Sequence, residues 1–200
     1  MATVLVTTGA TVTFTRLLET VLTPEFIRQL IANGVSTLII QYGNEIKNGV
    51  NLSSKVFHSL LTKHQIVSSL GLKAADSNDQ IETYSSSQFT LVALPFSPTI
   101  SKYIDQADVV VSHAGTGSIV DVLRADKKLI AVVNDELMDN HQAEVAHEFA
   151  QLNYCLHSEN QAATLILHIK LLLHGLVTLI PFPPQQKHIV QSILFQEANK

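Results

Sequence analysis

The chain lacks the features that mark exported, metal-thiolate and nucleic-acid-binding proteins. Cys155 is the only cysteine in 200 residues, so neither an intrachain disulfide nor a cysteine metal cluster can form. This cysteine usage fits a reducing compartment. Charged residues make up only 15% of the chain, and the 13 lysines and arginines are scattered within a net charge of −4. Because a nucleic-acid surface needs clustered positive charge, we expect no nucleic-acid partner.

Long hydrophobic runs are also missing. The longest, at 165–180, is interrupted by His168, Lys170 and His174 and falls short of the roughly 20 residues that cross a bilayer. The first six residues lack the basic segment and full apolar core of a signal peptide, and they are typical of a first strand. With 46% hydrophobic residues, the composition predicts a globular cytoplasmic protein without a direct membrane span.

Apolar runs with strand and helix periodicity alternate along most of the chain. The predicted strands cover 4–7, 37–41, 91–94, 108–111, 128–133 and 154–156. The predicted helices cover 17–22, 24–33, 98–106, 117–125, 140–151 and 161–174. Such alternation predicts an α/β fold, a Rossmann-like and mostly parallel sheet with helices on both faces.

The segment at about 44–90 does not follow this alternation, and we expect an extra irregular or hairpin region there. Residues 51–61 favour a helix, 66–70 a strand or edge hairpin, and 74–87 a surface loop rich in Ser, Asp and Asn. We assign residues 1–180 to one domain. Residues 181–200 form a proline-rich turn and a helix, which either packs on the domain or docks a partner.

Small and polar residues follow the first, fourth and fifth predicted strands. Gly115 and Gly117 allow backbone to approach a ligand closely, and the helix that begins beside them offers N–H groups that suit a diphosphate. Asp121 lies one turn after Ser118, where it can accept hydrogen bonds from ribose hydroxyls. Ligands of parallel sheets bind at the carboxyl ends of the strands, so these residues predict a nucleotide site. A glycine turn needed only for backbone geometry is the alternative.

Three sequence patterns together resemble one family. They are Val-Thr-Thr-Gly-Ala-Thr-Val-X-Phe at 6–14, Val-Ser-His-Ala-Gly-Thr-Gly-Ser-Ile-X-Asp-X-Leu at 111–123 and Val-Asn-Asp-X-Leu-Met-Asp-Asn-His-Gln at 133–142. The chain is similar over nearly its whole length to the soluble catalytic subunits of two-subunit dolichol-pathway UDP-N-acetylglucosamine transferases. Such a subunit is equivalent to the C-terminal, donor-binding half of a GT-B glycosyltransferase. The resemblance is weakest at 44–90.

The resemblance implies inverting transfer of GlcNAc from UDP-GlcNAc to GlcNAc-diphosphodolichol, giving a β1,4-linked disaccharide in N-glycan precursor assembly. Uracil would meet backbone near residues 94–96. The remaining site residues that it implies are Gly9, Ala10, Thr11, Ser112, Gly115, Thr116, Gly117 and Ser118 for the donor diphosphate, Asp121 for the ribose, and Asn140, His141 and Gln142 for the donor sugar. Asp121 stands where the wider superfamily usually has Glu.

The resemblance implies no cofactor and no metal, and the sequence has no obvious Asp-X-Asp motif between strands. His113 is the local candidate for the catalytic base, and a structural role that orients the loop is the alternative. Since the acceptor half is missing, we expect a membrane-anchored second subunit. It would recruit the chain to the cytosolic face of the endoplasmic reticulum and grip the terminal helix.

Two other functions remain open. One is another nucleotide-sugar or dinucleotide enzyme, although no Gly-X-Gly-X-X-Gly follows the first strand and no Tyr-X-X-X-Lys pair is present. The other is a non-catalytic module that binds UDP-sugars. Sequence alone leaves this second function open, because the chain carries only half of the expected active site.

Overall fold

A computed structural model describes residues 1–75, 81–134 and 141–184, without the side chains of His141 and Gln142. The strands are β1 Ala2–Thr7, β2 Val35–Gln41, β3 Ile46–Lys47, β4 Val50–Asn51, β5 Lys73–Ala74, β6 Glu82–Ser85, β7 Thr90–Leu94, β8 Val109–His113, β9 Lys128–Val132 and β10 Leu156–Ser158. The helices are α1 Thr15–Val21, α2 Pro24–Ala32, α3 Leu52–Lys63, α4 Ile66–Ser69, α5 Ser101–Gln106, α6 Thr116–Arg124, α7 His141–Gln151 and α8 Ala162–Leu173.

Eight of the strands form one sheet in the order β10-β9-β8-β1-β2-β7-β6-β5. The strands from β10 to β7 run parallel, whereas β6 and β5 are antiparallel. β1 and β8 are neighbours in register, with Thr7 opposite Ser112. The polar loops that follow these two strands therefore lie side by side at the carboxyl edge of the sheet, as the sequence predicts.

Each face of the sheet has its own apolar core. α1, α2, α3 and α8 pack on one face, around Val4, Leu38 and Phe57. α5, α6 and α7 pack on the other face, around Leu5, Val110 and Ile119. Alternate residues of β1 enter opposite cores because successive strand side chains point to opposite faces. This confirms the predicted α/β sheet with helices on both sides.

The termini of the helices follow local sequence signals. Thr23 caps α2 by accepting a hydrogen bond from the Phe26 N–H, and Pro24 occupies the first turn, where its missing N–H costs nothing. In the described part of the chain, every helix is too short or too polar to cross a membrane. The predicted terminal helix at 185–200 lies outside the described residues.

Two expectations for the segment at 44–90 are wrong. Residues 66–70 were expected as a strand or hairpin, but Ile66–Ser69 is helical because Ile66 packs into the core while the polar residues face outward. Residues 74–87 were expected as a loop, yet β6 is a regular strand that pairs with β7. The Ser- and Thr-rich composition of β6 hid this strand, since hydrogen bonds to β7 rather than apolar burial hold it.

Candidate functional site

The loop that follows β1 and the last residue of β8 border a cavity of about 180 Å³, here called the glycine-loop cavity. Its walls also include residues from the loop after β7 and from α5 and α6. The residues that line it are Thr7, Gly9, Ala10, Gln41, Phe96, Ser97, Ile100, Ile104, His113, Ser118, Asp121 and Val122. A smaller cavity of about 90 Å³ adjoins it and is lined by Thr8, Gly9, Ala10, Thr11, Val12, His113 and Asn134.

Hydrogen bonds hold the loop after β1 to neighbouring strands. The Thr7 hydroxyl donates to the Ser112 hydroxyl at 3.1 Å across β1 and β8. The Gln41 side-chain amide donates to the Gly9 carbonyl at 3.0 Å, and the Asn44 N–H donates to the Ala10 carbonyl at 3.0 Å. Gly9 has a φ of +87°, a conformation that favours glycine. The loop is therefore held in place before any ligand binds.

His113 fills the space between the two glycine loops. A Cβ atom built on Gly9 would lie 2.9 Å from His113 Nε2, and one built on Gly115 would lie 2.6 Å from the same atom. A side chain at either position would therefore force the imidazole or the turn to shift. Burial lowers the pKa of His113, partly offset by the nearby Thr7 backbone. Burial therefore favours the neutral form of the imidazole, which lines both cavities.

α6 begins beside this imidazole. Gly115 is its N-cap residue and provides no side-chain cap, so the first-turn N–H groups lack the partner that Ser, Thr or Asp would supply. Ser118 and Asp121 line the glycine-loop cavity from this helix. Positive dipole charge and N–H donors at its start, with an acidic side chain one turn later, suit a ligand that combines phosphate and hydroxyl groups.

The predicted diphosphate residues do not all line the cavities. Gly9, Ala10 and Ser118 do, and Thr11 lines the smaller cavity. Ser112 is fully buried, and its hydroxyl donates to the His113 carbonyl at 3.3 Å. Together with Gly115, Thr116 and Gly117 it is absent from both linings. Ser112 lies within β8, whereas Gly115 is the N-cap of α6 and Thr116 and Gly117 are its first two residues.

The predicted sugar-binding residues cannot be placed in the same way. Asn140 lies outside the described residues, and His141 begins α7 without a described side chain. Gln142 follows it in the same helix. Asn134, which follows β9 and is 5% exposed, does line the smaller cavity. Among the residues that the structure describes, no three His, Cys, Asp or Glu side chains gather as metal ligands.

Sequence reasoning missed Gln41 and Ser97. Gln41 is 3% exposed yet lines the glycine-loop cavity. Its signal was a polar residue closing an otherwise apolar strand. Phe96 and Ser97 line the cavity from the loop after β7, next to the predicted uracil position. Phe96 is 47% exposed, so its ring forms part of the rim.

Comparison with known families decides what kind of protein carries this site. Residues 3–188 match the glycosyltransferase family 28 C-terminal domain. The chain belongs to this family. The glycosyltransferase match spans β1, the glycine loops and α6.

The chain is similar to several named proteins. It is 36% identical to the UDP-N-acetylglucosamine transferase subunit ALG13 of Candida albicans, covering 100% of this chain and 75% of the relative. It is 44% identical to the subunit of the same name from Kluyveromyces lactis, covering 74% of this chain and 75% of that one. An ALG13 solution structure superposes with a TM-score of 0.65 at 32% identity, covering 100% of this chain and 98% of the other.

A bacterial protein has a similar fold. The crystal structure of Acinetobacter baumannii MurG matches with a TM-score of 0.53 at 18% identity, covering 88% of this chain and 41% of MurG. At this identity the likeness concerns the fold alone. It agrees with the predicted GT-B-like α/β architecture.

Proposed function

We propose that this family member is the donor-binding subunit of an inverting N-acetylglucosaminyltransferase. It would transfer GlcNAc from UDP-GlcNAc to GlcNAc-diphosphodolichol and form the β1,4-linked disaccharide. The observation that carries the proposal is the convergence of Gly9, Ala10, His113 and Asp121 on one cavity beside the start of α6. The naming of its relatives as UDP-N-acetylglucosamine transferase subunits supports the choice of donor.

The geometry suggests how the donor binds. The diphosphate would lie against the glycine loops, where N–H groups and the helix dipole of α6 meet it. The Asp121 carboxylate would accept hydrogen bonds from the ribose, and the base would lie near Phe96 and Ser97. When the acceptor hydroxyl attacks the anomeric carbon, the bond to the β-phosphate oxygen breaks and negative charge develops on UDP. Donors already in place stabilise that charge without reorganising.

His113 is better suited to orienting these loops than to acting as the base. Its Nδ1 atom is buried without a hydrogen-bond partner among the described residues, and its Nε2 atom lies against Gly9 and Gly115. Burial lowers its pKa, which weakens it as a proton acceptor. We infer that a group outside this chain deprotonates the acceptor.

We further propose a membrane-anchored partner on the cytosolic face of the endoplasmic reticulum, which would hold the acceptor lipid. Support comes from the relatives' description as subunits. We propose that residues 185–200 bind this partner. Deleting them should abolish recruitment to membranes that contain the partner while leaving UDP binding intact. Unchanged recruitment and activity would contradict this part of the proposal.

The deciding experiment combines the purified chain, partner-containing membranes, UDP-GlcNAc and a lipid-diphosphate-GlcNAc acceptor. The expected product is the disaccharide, and a matched reaction should lose it with Asp121→Ala. The alternative is a non-catalytic module that binds UDP-sugars, because the chain carries only half of the expected active site. Binding of UDP-GlcNAc with no disaccharide from the complete mixture would favour that alternative.

A further inference from the structure

A second cleft opens at the same edge of the sheet, on the other side of Phe96. It measures about 420 Å³, and we call it the Glu82 cleft after the carboxylate in its wall. Phe96 lines both this cleft and the glycine-loop cavity. Its lining includes Tyr42, Asn44, Asn51, Ser54, Glu82 and Phe96.

Hydrogen bonds organise the carboxylate wall. The Tyr84 hydroxyl donates to Glu82 Oε2 at 2.6 Å, and His58 Nε2 lies 2.8 Å from Glu82 Oε1. His58 Nδ1 in turn lies 2.7 Å from the Ser54 carbonyl. An ionised carboxylate offers about four acceptor positions, so two contacts leave Glu82 with capacity for further donors. Its orientation is already set by neighbours on α3 and β6.

The opposite rim carries paired amides. The Asn51 amide donates to Asn44 Oδ1 at 2.8 Å, while Asn51 Oδ1 accepts from the Ser54 N–H at 2.9 Å. Asn51 is thereby committed to capping α3. Asn44 is exposed, and its amide nitrogen has no hydrogen-bond partner among the described residues, so it offers N–H donors to the cleft.

Aromatic rings complete the cleft. Tyr42 stacks on Phe57 with ring centroids 4.9 Å apart, which fixes the phenol. Burial and the Glu82 charge raise the pKa of Tyr42, so the hydroxyl stays protonated. Phe96 presents an exposed ring at the border with the other cavity.

The charge of the walls restricts the ligand. The cleft lining contains no lysine or arginine among the described residues, and His58 is already engaged by Glu82. A phosphate would therefore meet a carboxylate without a free cation beside it, which is unfavourable. A neutral ligand rich in hydroxyls would instead supply donors to Glu82 and accept from Asn44, and an aromatic ring can pack on its apolar face.

We propose that the Glu82 cleft is a carbohydrate subsite that takes a neutral pyranose ring. The choice of N-acetylglucosamine as its ligand rests on the proposed transfer reaction. The assignment of a carbohydrate rests instead on the polar and aromatic lining and does not depend on that reaction. The pyranose in the Glu82 cleft and the nucleotide in the glycine-loop cavity would lie on either side of the Phe96 ring. Residues supplied by the irregular segment at 44–90 would then add a second binding function to the sheet edge.

The test is a titration of the full ¹⁵N-labelled chain with methyl β-N-acetylglucosaminide and, separately, with UDP. We expect the glycoside to bind with a Kd of about 1–10 mM and to shift the side-chain amide signals of Asn44 and Asn51. UDP should shift the glycine loops instead. Saturating UDP should leave the glycoside Kd within about twofold, because two ligands in separate sites do not compete.

Two substitutions test which side chains contact the glycoside. Glu82→Gln and Asn44→Ala should each weaken glycoside binding about tenfold, since each removes a hydrogen bond to the ligand. UDP binding should stay unchanged and confirm folding. Glu25→Gln, on an exposed carboxylate of α2, is the matched control and should bind normally.

Several outcomes would overturn the subsite. They are glycoside shifts confined to the glycine loops, displacement by UDP, normal binding by both cleft variants, or no shift at about 50 mM glycoside, well above the expected Kd. Failure of UDP alone to bind would instead count against the proposed function, so the two failures are distinguishable.

Discussion

The two clefts at the carboxyl edge are built in different ways. The glycine-loop cavity arises where β1 and β8, two neighbouring strands of the parallel sheet, end, and it is lined by the Gly9 turn and by His113, which lies between Gly9 and Gly115. The Glu82 cleft arises from side chains on α3, β6 and two loops that meet through hydrogen bonds. Backbone sites leave glycine motifs in the sequence, whereas side-chain sites leave polar residues at unrelated positions.

One residue joins the two regions. Ser53 is fully buried at the start of α3. Its hydroxyl lies 2.7 Å from that of Thr13, which belongs to the loop after β1, and it accepts from the Glu45 N–H at 2.9 Å. Glu45 accepts in turn from the Thr13 N–H at 2.9 Å. Ser53 therefore ties the loop after β1 to α3, the helix that carries part of the Glu82 cleft.

The largest effect is expected from Gly115→Val. Its Cβ would overlap His113 Nε2, so either the imidazole or the turn into α6 must move. We expect transfer and UDP affinity to fall at least about 100-fold, as for a loss of several kcal/mol of binding. Isothermal titration with UDP measures this, and glycoside binding in the Glu82 cleft should persist.

A double-mutant cycle tests whether the imidazole of His113 is the reason that position 115 requires glycine. Gly115→Ala should destabilise the wild-type chain but have little effect in a His113→Ala background, where the clashing ring is gone. Equal destabilisation in both backgrounds would show that backbone conformation, and not the imidazole, requires glycine.

Asp121→Ala should have the next largest effect. Removing the carboxylate takes an acceptor from the ribose, and we expect UDP affinity to fall about 10- to 100-fold with the fold intact. Asp105→Asn, an exposed carboxylate on α5, serves as the control. If Asp121→Ala bound UDP normally, the ribose assignment would have to be abandoned.

Ser53→Ala should act on stability more than on either ligand. It leaves the Glu45 N–H and the Thr13 hydroxyl without a buried partner, which costs about 1–3 kcal/mol. Urea denaturation reports the loss. Ser59→Ala, at an exposed position of the same helix, should be neutral or slightly stabilising. Equal stability of both variants would mean that the junction contributes nothing.

The smallest effect concerns pH. Burial lowers the pKa of His113 and also, with the charge of His157, that of His168 below their usual 6.5. Because the unfolded chain takes up protons first, this contribution to stability is fully present above about pH 6.5, declines as pH falls below that value, and levels off below the lower folded pKa values. Urea midpoints between pH 7.5 and 5 measure the slope. His113→Asn should flatten it, whereas His174→Asn, at an exposed site, should not.

Sequence reasoning was most successful where one pattern decides one element. The apolar run at 109–111 followed by a glycine turn predicted both β8 and the start of α6, because buried β-branched residues and a small-residue turn allow few other arrangements. It failed at Ile66–Ser69 and Glu82–Ser85, since such short segments take their conformation from the residues they pack against or pair with. The predicted roles of Asn140, His141 and Gln142 stay predictions.

The sequence by itself determined the alternation of strands and helices, the parallel sheet and the position of the glycine loops. Periodicity and glycine placement are local properties that the chain carries into any environment. Only the tertiary structure decided that His113 separates the two loops, that Gln41 holds Gly9, and that Glu82 meets His58 and Tyr84. These contacts join distant residues, and packing selects them only once the sheet has brought their strands together.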